Sequence, residues 1–238
     1  TATPIPRTLT MTIYGDMDLS IIREKPNIRK PVKTYSKLEN NINDVINFIK
    51  KEIKLGNQIF WVCPLIEESK KIDHTSAIKK SEYLKKLFPK QVFLLHGKTT
   101  VEEKEMILNK FLNNDFKILV STTIIEVGID FPNANVIVIE NANKFGLSQL
   151  HQLRGRVGRG SKQSTCILMF KSNLSDNAKK RINILKETND GFIISEEDMK
   201  LRGFGDILGF KQSGIKNFKL ADPIHNSDLF LLAEKEIK

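Results

Sequence analysis

The stretch QLHQLRGRVGRG, residues 149–160, sets Arg154, Arg156 and Arg159 among Gly155, Gly158 and Gly160. Like charges at this spacing repel, and a glycine inside a helix costs roughly 0.5–1 kcal/mol relative to alanine. A bound anion would offset both. Arginine carries a permanent charge on a planar fork of donors, which suits phosphate, and the glycines let backbone approach it closely. The phosphate belongs either to a nucleotide or to a nucleic-acid backbone. The competing reading is a solvated basic turn. A second stretch, STTIIEVGIDFPNA (121–134), offers the hydroxyls and backbone N–H groups of Ser121, Thr122 and Thr123, then a tight acidic turn at Gly128 and Asp130. An aspartate in such a turn can accept from a ribose hydroxyl or simply form the turn. Glu126 reads equally as a ligand contact or an exposed helix carboxylate.

These stretches need a scaffold, and the hydrophobic pattern supplies one. Apolar residues Ile42, Val45, Ile46, Ile49 and Ile53 recur at helical spacing before Gly56. Short apolar runs follow at 58–66, 91–97, 117–123, 135–141 and 165–170. Helical patterns fall between them, at 75–88 (basic and amphipathic), 101–111 and from 148 to 154. Runs apolar on both faces that alternate with helices predict an α/β fold with a parallel sheet covered on both sides. In such sheets function gathers in loops at the carboxyl ends of strands. We expect HGKTTVEEK, STTIIEVGIDFPNA and the arginine stretch there. After about residue 171 the pattern changes. A helix over 176–188 leads to a short acidic segment and a glycine-dotted loop, 203–214, so a boundary is expected near 171–174.

Composition narrows the partners. The 238 residues include 38 basic and 28 acidic side chains, a net +10, which makes a polyanion a natural partner where the charge clusters. A general bias toward lysine, isoleucine and asparagine gives the same excess without a partner. Cys63 and Cys166 are far apart and lie in apolar runs, which reads as reduced core thiols rather than a metal or disulfide frame. Trp61, also in an apolar run, reads as core, and His96 as structural rather than a DNA contact. No apolar run approaches a membrane span and no signal peptide is seen, so a cytoplasmic protein is expected.

TATPIPRT (1–8), STTIIEVGIDFPNA and QLHQLRGRVGRG, in this order, resemble motifs III, V and VI of the superfamily 2 helicases. Residues 58–66 and 94–111 resemble the motif IV region. TNDGFIISEEDMKLRGFGDILGFKQSG (188–214) resembles the translocation motif shared by RecG helicases and the transcription-repair coupling factor. The opening TATPIPRTLTMTIYGDMDLSIIREKP and the tail LADPIHNSDLFLLAEKEI are more similar to RecG. The likeness covers nearly the whole chain. It implies a RecA-like fold with a small C-terminal helical hairpin and loop. Its parts would be the end of a first RecA-like domain and linker (1–36), a second RecA-like domain (37–172), and a hairpin, loop and C-terminal helix (173–238).

The resemblance also implies roles. Arg156 and Arg159 match the arginine-finger positions facing ATP, and Gln152 the glutamine near the γ-phosphate. Gly128 and Asp130 match the ribose position. Thr122 and Thr123 match residues near the DNA backbone, while Thr1 and Thr3 match the motif linking ATP state to domain movement. Arg181, Arg202 and Gln212 are candidates for coupling closure to translocation. Arg154 matches no finger and would support structure or meet a carboxylate. An ordinary salt bridge from Arg202 to the acids at 196–198 is the plain alternative. Phe204 departs from the family, which usually has proline or alanine there.

No GxxxxGK[ST] and no DExx pair in context occurs in the sequence. The resemblance places both, with the Mg²⁺ ligands, in an upstream RecA-like domain, and a junction wedge further upstream. The implied activity is ATP-dependent remodelling of branched duplex DNA (forks and Holliday junctions) by a monomer, with this chain alone unable to hydrolyse ATP. A coupling-factor translocase fragment, or an inactive remnant with weak DNA binding, are the alternatives.

Overall fold

The computed structural model describes residues 30–64, 70–122, 131–202 and Leu232. Contacts divide the chain into two compact units, 26–189 and a second made of 1–25 with 190–238. The first unit holds six strands, β1 Lys33–Leu38, β2 Gln58–Val62, β3 Val92–Leu95, β4 Ile118–Ser121, β5 Ala134–Ile139 and β6 Thr165–Phe170. They form one sheet in the order β1-β6-β5-β2-β4-β3, with every pairing parallel.

Parallel neighbours need crossovers, and helices supply them: α1 Ile42–Lys54, α2 Lys70–Leu87, α3 Val101–Leu112 and α4 Leu147–Arg154. A short 3-10 turn, Glu39–Asn41, leads into α1. Helices α1 and α2 carry the chain along the strand order in one direction, α3 and α4 in the other. Right-handed crossovers therefore put the two pairs on opposite faces. The packing agrees for α1 to α3. Val45, Ile46 and Ile49 of α1 and Ala77 and Leu84 of α2 join Ile59, Trp61, Val120 and Val138 in one core cluster. On the other face Phe60 meets Phe111 of α3 at 5.2 Å between ring centroids, and Phe116 and Phe131 extend the cluster. Alternate residues of each strand thus feed opposite cores, so the central strands read as unbroken apolar runs.

The edge strand β1 is different. KTYSKL mixes exposed and half-buried residues because only one strand neighbours it. Gly56 ends the first crossover at φ +84°, in the left-handed region that favours glycine.

A fifth helix, α5 Asp176–Glu187, belongs to the same unit and buries Ala178, Ile182 and Leu185. Ser175 caps it by accepting from the Ala178 N–H. The compact unit therefore runs past the boundary expected near 171–174. In the second unit, α6 spans Gly191–Arg202, where the sequence reading had a short acidic segment. The Asp190 carboxylate accepts from the Phe192 N–H at the helix start, and Lys200 pairs with Glu196 and Glu197, both at 2.9 Å. No helix among the described residues is long and apolar enough to cross a membrane.

Candidate functional site

The arginine stretch begins as a helix and ends as a loop. Helix α4 starts beyond the carboxyl end of β5, its first turn secured by Gln149, whose side chain accepts from the Gly146 N–H at 3.0 Å. Leu147, Leu150 and Leu153 are buried, which fixes the helix face. The chain leaves the helix at Gly155. Gly158 takes φ +79°, and a Cβ there would lie 2.8 Å from Val32 Cγ2. A Cβ on Gly160 would come within 3.0 Å of the Pro132 carbonyl oxygen. Both glycines are therefore required by shape.

Those neighbours locate the loop. Val32 immediately precedes β1, Ser164 precedes β6, and Pro132 lies just before β5. The arginine loop sits at the amino edge of the sheet, not among the carboxyl-end loops as expected. The reason is topological: β5 and β6 are parallel, so α4 must carry the chain back across the sheet before β6 begins.

At that edge the three arginines divide. Arg154 is buried at 2% exposure. Its Nη1 donates to the Leu185 and Thr188 carbonyls at 2.6 and 2.9 Å and to Thr34 Oγ1 at 3.4 Å. Its Nη2 lies 3.0 Å from His151 Nδ1. Guanidinium only donates, so Nδ1 is the acceptor and the neutral His151 proton sits on Nε2. Arg154 thus meets carbonyls rather than a carboxylate and ties α4, β1 and the end of α5 together. Burial lowers its pKa.

Arg156 and Arg159 are half-buried on the loop. Arg159 Nε donates to the Gly155 carbonyl at 3.4 Å. The Arg156 pKa is lowered, first by burial and then by the charge of Arg159. The structure therefore brings these two cations together on one loop. Gln152 is exposed on α4, one turn before Arg156.

Thr122 stands at the opposite edge, one residue beyond β4. It is 3% exposed, and its N–H donates to the Leu95 carbonyl at 3.4 Å. Thr122 Oγ1 and Ser121 Oγ are both buried without a hydrogen-bond partner. Nearby, the Thr99 hydroxyl accepts from the His96 N–H, and His96 Nδ1 accepts from the Lys98 N–H, which makes His96 part of the turn. Arg181, on α5, donates to the Asn143 carbonyl at 3.1 Å. Arg202 ends α6, without a described side chain. Thr1, Thr3, Thr123, Gly128, Asp130 and Gln212 lie outside the described residues.

Sequence reasoning missed two constellations. At the carboxyl ends of β2 and β5, where the crossovers diverge, Glu140 accepts from Lys80 at 2.7 Å and from the Cys63 thiol at 3.7 Å. Lys80 also lies over the Trp61 and Tyr83 rings. At the amino edge, Asn57, Asn135, Ser164 and Lys162 form a chain of hydrogen bonds. Polar residues flanking apolar strands were the available signal. Among the described residues no group of three His, Cys, Asp or Glu side chains is placed to hold a metal ion.

Residues 40–161 match the helicase conserved C-terminal domain family. Residues 188–237 match the family described as ATP-dependent DNA helicase RecG, domain 3, C-terminal. The ATP-dependent DNA helicase RecG of Bacillus subtilis is 50% identical over 228 residues, 95% of this chain and 33% of that protein. The RecG of Synechocystis is 47% identical over 237 residues, 99% of this chain and 28% of that protein. A solved structure of RecG bound to a three-way DNA junction superposes with a TM-score of 0.74 at 43% identity, over 96% of this chain and 29% of that one. The chain spans about a third of the length of the curated relatives it matches.

Proposed function

We propose, from the premise that this chain belongs to the helicase conserved C-terminal domain family as the C-terminal region of a RecG-type helicase, that it supplies half of an ATP-hydrolysing cleft in a motor acting on branched duplex DNA. The observation that carries this reading is the Arg156–Arg159 pair. Two half-buried cations share one glycine-shaped loop, and after burial the charge of Arg159 is what lowers the Arg156 pKa. A phosphate anion at the loop would meet both guanidinium groups.

The chemistry follows from charge. Phosphoryl transfer spreads negative charge over the transferred group, and fixed cations that meet it lower the barrier. Arg156 and Arg159 stay protonated throughout, so they stabilise charge and move no proton. Gln152, one turn earlier and exposed, orients the γ-phosphate or the attacking water. Gly128 and Asp130 take the ribose. Mg²⁺ arrives with ATP and is held by an upstream RecA-like domain, which also cradles the phosphates.

DNA meets the other edge. Buried hydroxyls without partners cost about 1–3 kcal/mol each, and Thr122 keeps one. With Thr123 it would reach the sugar-phosphate backbone once its hydroxyl is uncovered on DNA binding, positioning DNA without reading sequence. Arg181, Arg202, Gln212, Thr1 and Thr3 couple closure of the cleft to movement along the duplex. Forks and Holliday junctions are the substrates, engaged by a cytoplasmic monomer with an upstream wedge domain. The match of residues 188–237 to RecG favours this over a coupling-factor translocase.

The test is phosphate release from ATP with and without a three-way junction, in the polypeptide joined to its P-loop domain. Arg159→Ala is expected to cut release by about 10³-fold while junction affinity holds. Equal loss of both would make Arg159 structural.

A further inference from the structure

Between the arginine loop and β6 the chain is held by four polar side chains that the helicase motifs do not include. Lys162 Nζ donates to Asn57 Oδ1 at 3.3 Å. The same oxygen accepts from Asn135 Nδ2 at 3.0 Å, and Asn57 Nδ2 donates to Glu52 at 2.7 Å. Ser164 Oγ donates to Asn135 Oδ1 at 3.1 Å. Asn57, Asn135 and Ser164 are all buried. Both amides have one orientation that satisfies every partner, since a flipped Asn57 would face two donors with its NH₂ and the Glu52 carboxylate with its oxygen.

The relay ties together separate parts of the unit. Asn57 lies between α1 and β2, Asn135 is in β5, and Ser164 precedes β6. The Ser164 carbonyl accepts from the Lys33 N–H at the start of β1. All four anchors are rigid sheet or helix ends. Lys162 is three residues beyond Arg159, and the intervening Gly160 rests against the Pro132 carbonyl. The loop is thus held on its β6 side at Gly160, Lys162 and Ser164, and Gln163 Nε2 adds a bond to the Pro31 carbonyl at 2.7 Å.

We infer that Lys162 and the Asn57–Asn135–Ser164 relay are positioning residues that fix where Arg159 presents its charge. The inference rests on the proposed phosphate role of the loop. The relay touches no phosphate. It acts through the backbone between residues 159 and 162, and a displacement of about 1 Å in such a group costs on the order of 10²-fold in rate.

The test uses the same P-loop-containing polypeptide. Lys162 is exposed, so Lys162→Gln leaves the core alone. It is expected to lower the kcat of junction-stimulated ATP hydrolysis by roughly 10-fold or more, with KM for ATP, junction affinity and Tm unchanged. Lys162→Arg, which still reaches Asn57 Oδ1, restores most of kcat. Asn57→Ala reproduces the loss, and the double variant is no worse than Asn57→Ala. If Asn57→Ala does not fold, the Gln and Arg variants at 162 decide alone. Unchanged kcat in Lys162→Gln, with Arg159→Ala inactive, would overturn the inference and leave the loop's role standing. A raised KM in Lys162→Gln with Asn57→Ala silent would also overturn it, since Lys162 would then bind phosphate directly. Full turnover in Arg159→Ala would remove the loop's role and the inference together.

Discussion

The two edges of the sheet treat polar groups in opposite ways. At the amino edge, Asn57, Asn135 and Ser164 satisfy one another inside the core, and positive charge gathers beside them in Arg156 and Arg159. At the carboxyl edge, charge is paired, with Lys80 on Glu140, and what remains costly is hydroxyl: Ser121 Oγ and Thr122 Oγ1 buried without partners. An edge that gathers two arginines on a fixed frame suits a concentrated anion such as a nucleotide phosphate. An edge with orphaned hydroxyls suits hydrogen bonding from neutral donors to a backbone once those hydroxyls are uncovered. One parallel sheet separates the two, because each crossover helix must return the chain to the opposite edge.

The largest expected effect comes from removing Arg159. Arg159→Ala should abolish most ATP turnover, as above, without moving stability. Arg154, five residues earlier, is the reverse case. Arg154→Ala should lower stability by about 3 kcal/mol, because the Leu185 and Thr188 carbonyls and His151 Nδ1 lose their donor inside the core. Arg154→Lys should recover little, since an ammonium cannot reproduce the fork. Urea unfolding measures both. If Arg154→Ala left stability intact but lost turnover, the division of labour among the three arginines would be wrong.

A smaller effect of opposite sign is expected at the carboxyl edge. Thr122→Val keeps the shape and removes the orphaned hydroxyl, so it should raise stability by about 1 kcal/mol while weakening junction binding. Lower stability would show that the hydroxyl is satisfied in solution.

A separate effect, confined to high pH, is expected at Cys166 in β6. Burial pushes its thiol from the usual value near 9 up to about 12. A raised folded-state value means the thiol's contribution is complete below about pH 9 and is lost as pH rises toward about 12. The urea midpoint should fall over that window, and less steeply in Cys166→Ala. An identical slope in the variant would assign the fall to other groups.

Much of this was legible in the sequence. Five of the six strands announced themselves as apolar runs, and 165–170 coincides with β6. The first strand showed only as an extended run ending in VKTYS (32–36), not as an apolar one, because an edge strand such as KTYSKL is half solvated and carries lysines. The residue pattern read helix α6 as a short acidic segment, whereas the resemblance implied a helical hairpin over 173–238; Asp190 before GFIISEEDMKLR is the local capping signal. The arginine loop was recognised as a phosphate candidate but put at the wrong edge. Residue types reveal chemistry, whereas the edge depends on how long α4 is and where β6 starts. The relay through Asn57 and Asn135 joins residues 78 apart, which no local pattern records.

The central claim is that the two edges serve different ligands. The most direct measurement compares Arg159→Ala and Thr122→Val in one P-loop-containing polypeptide, each assayed for maximal ATP turnover at saturating junction and for three-way junction affinity. The account expects a crossed result: Arg159→Ala loses turnover and keeps affinity, and Thr122→Val loses affinity and keeps maximal turnover. Parallel loss of both properties in both variants would contradict it.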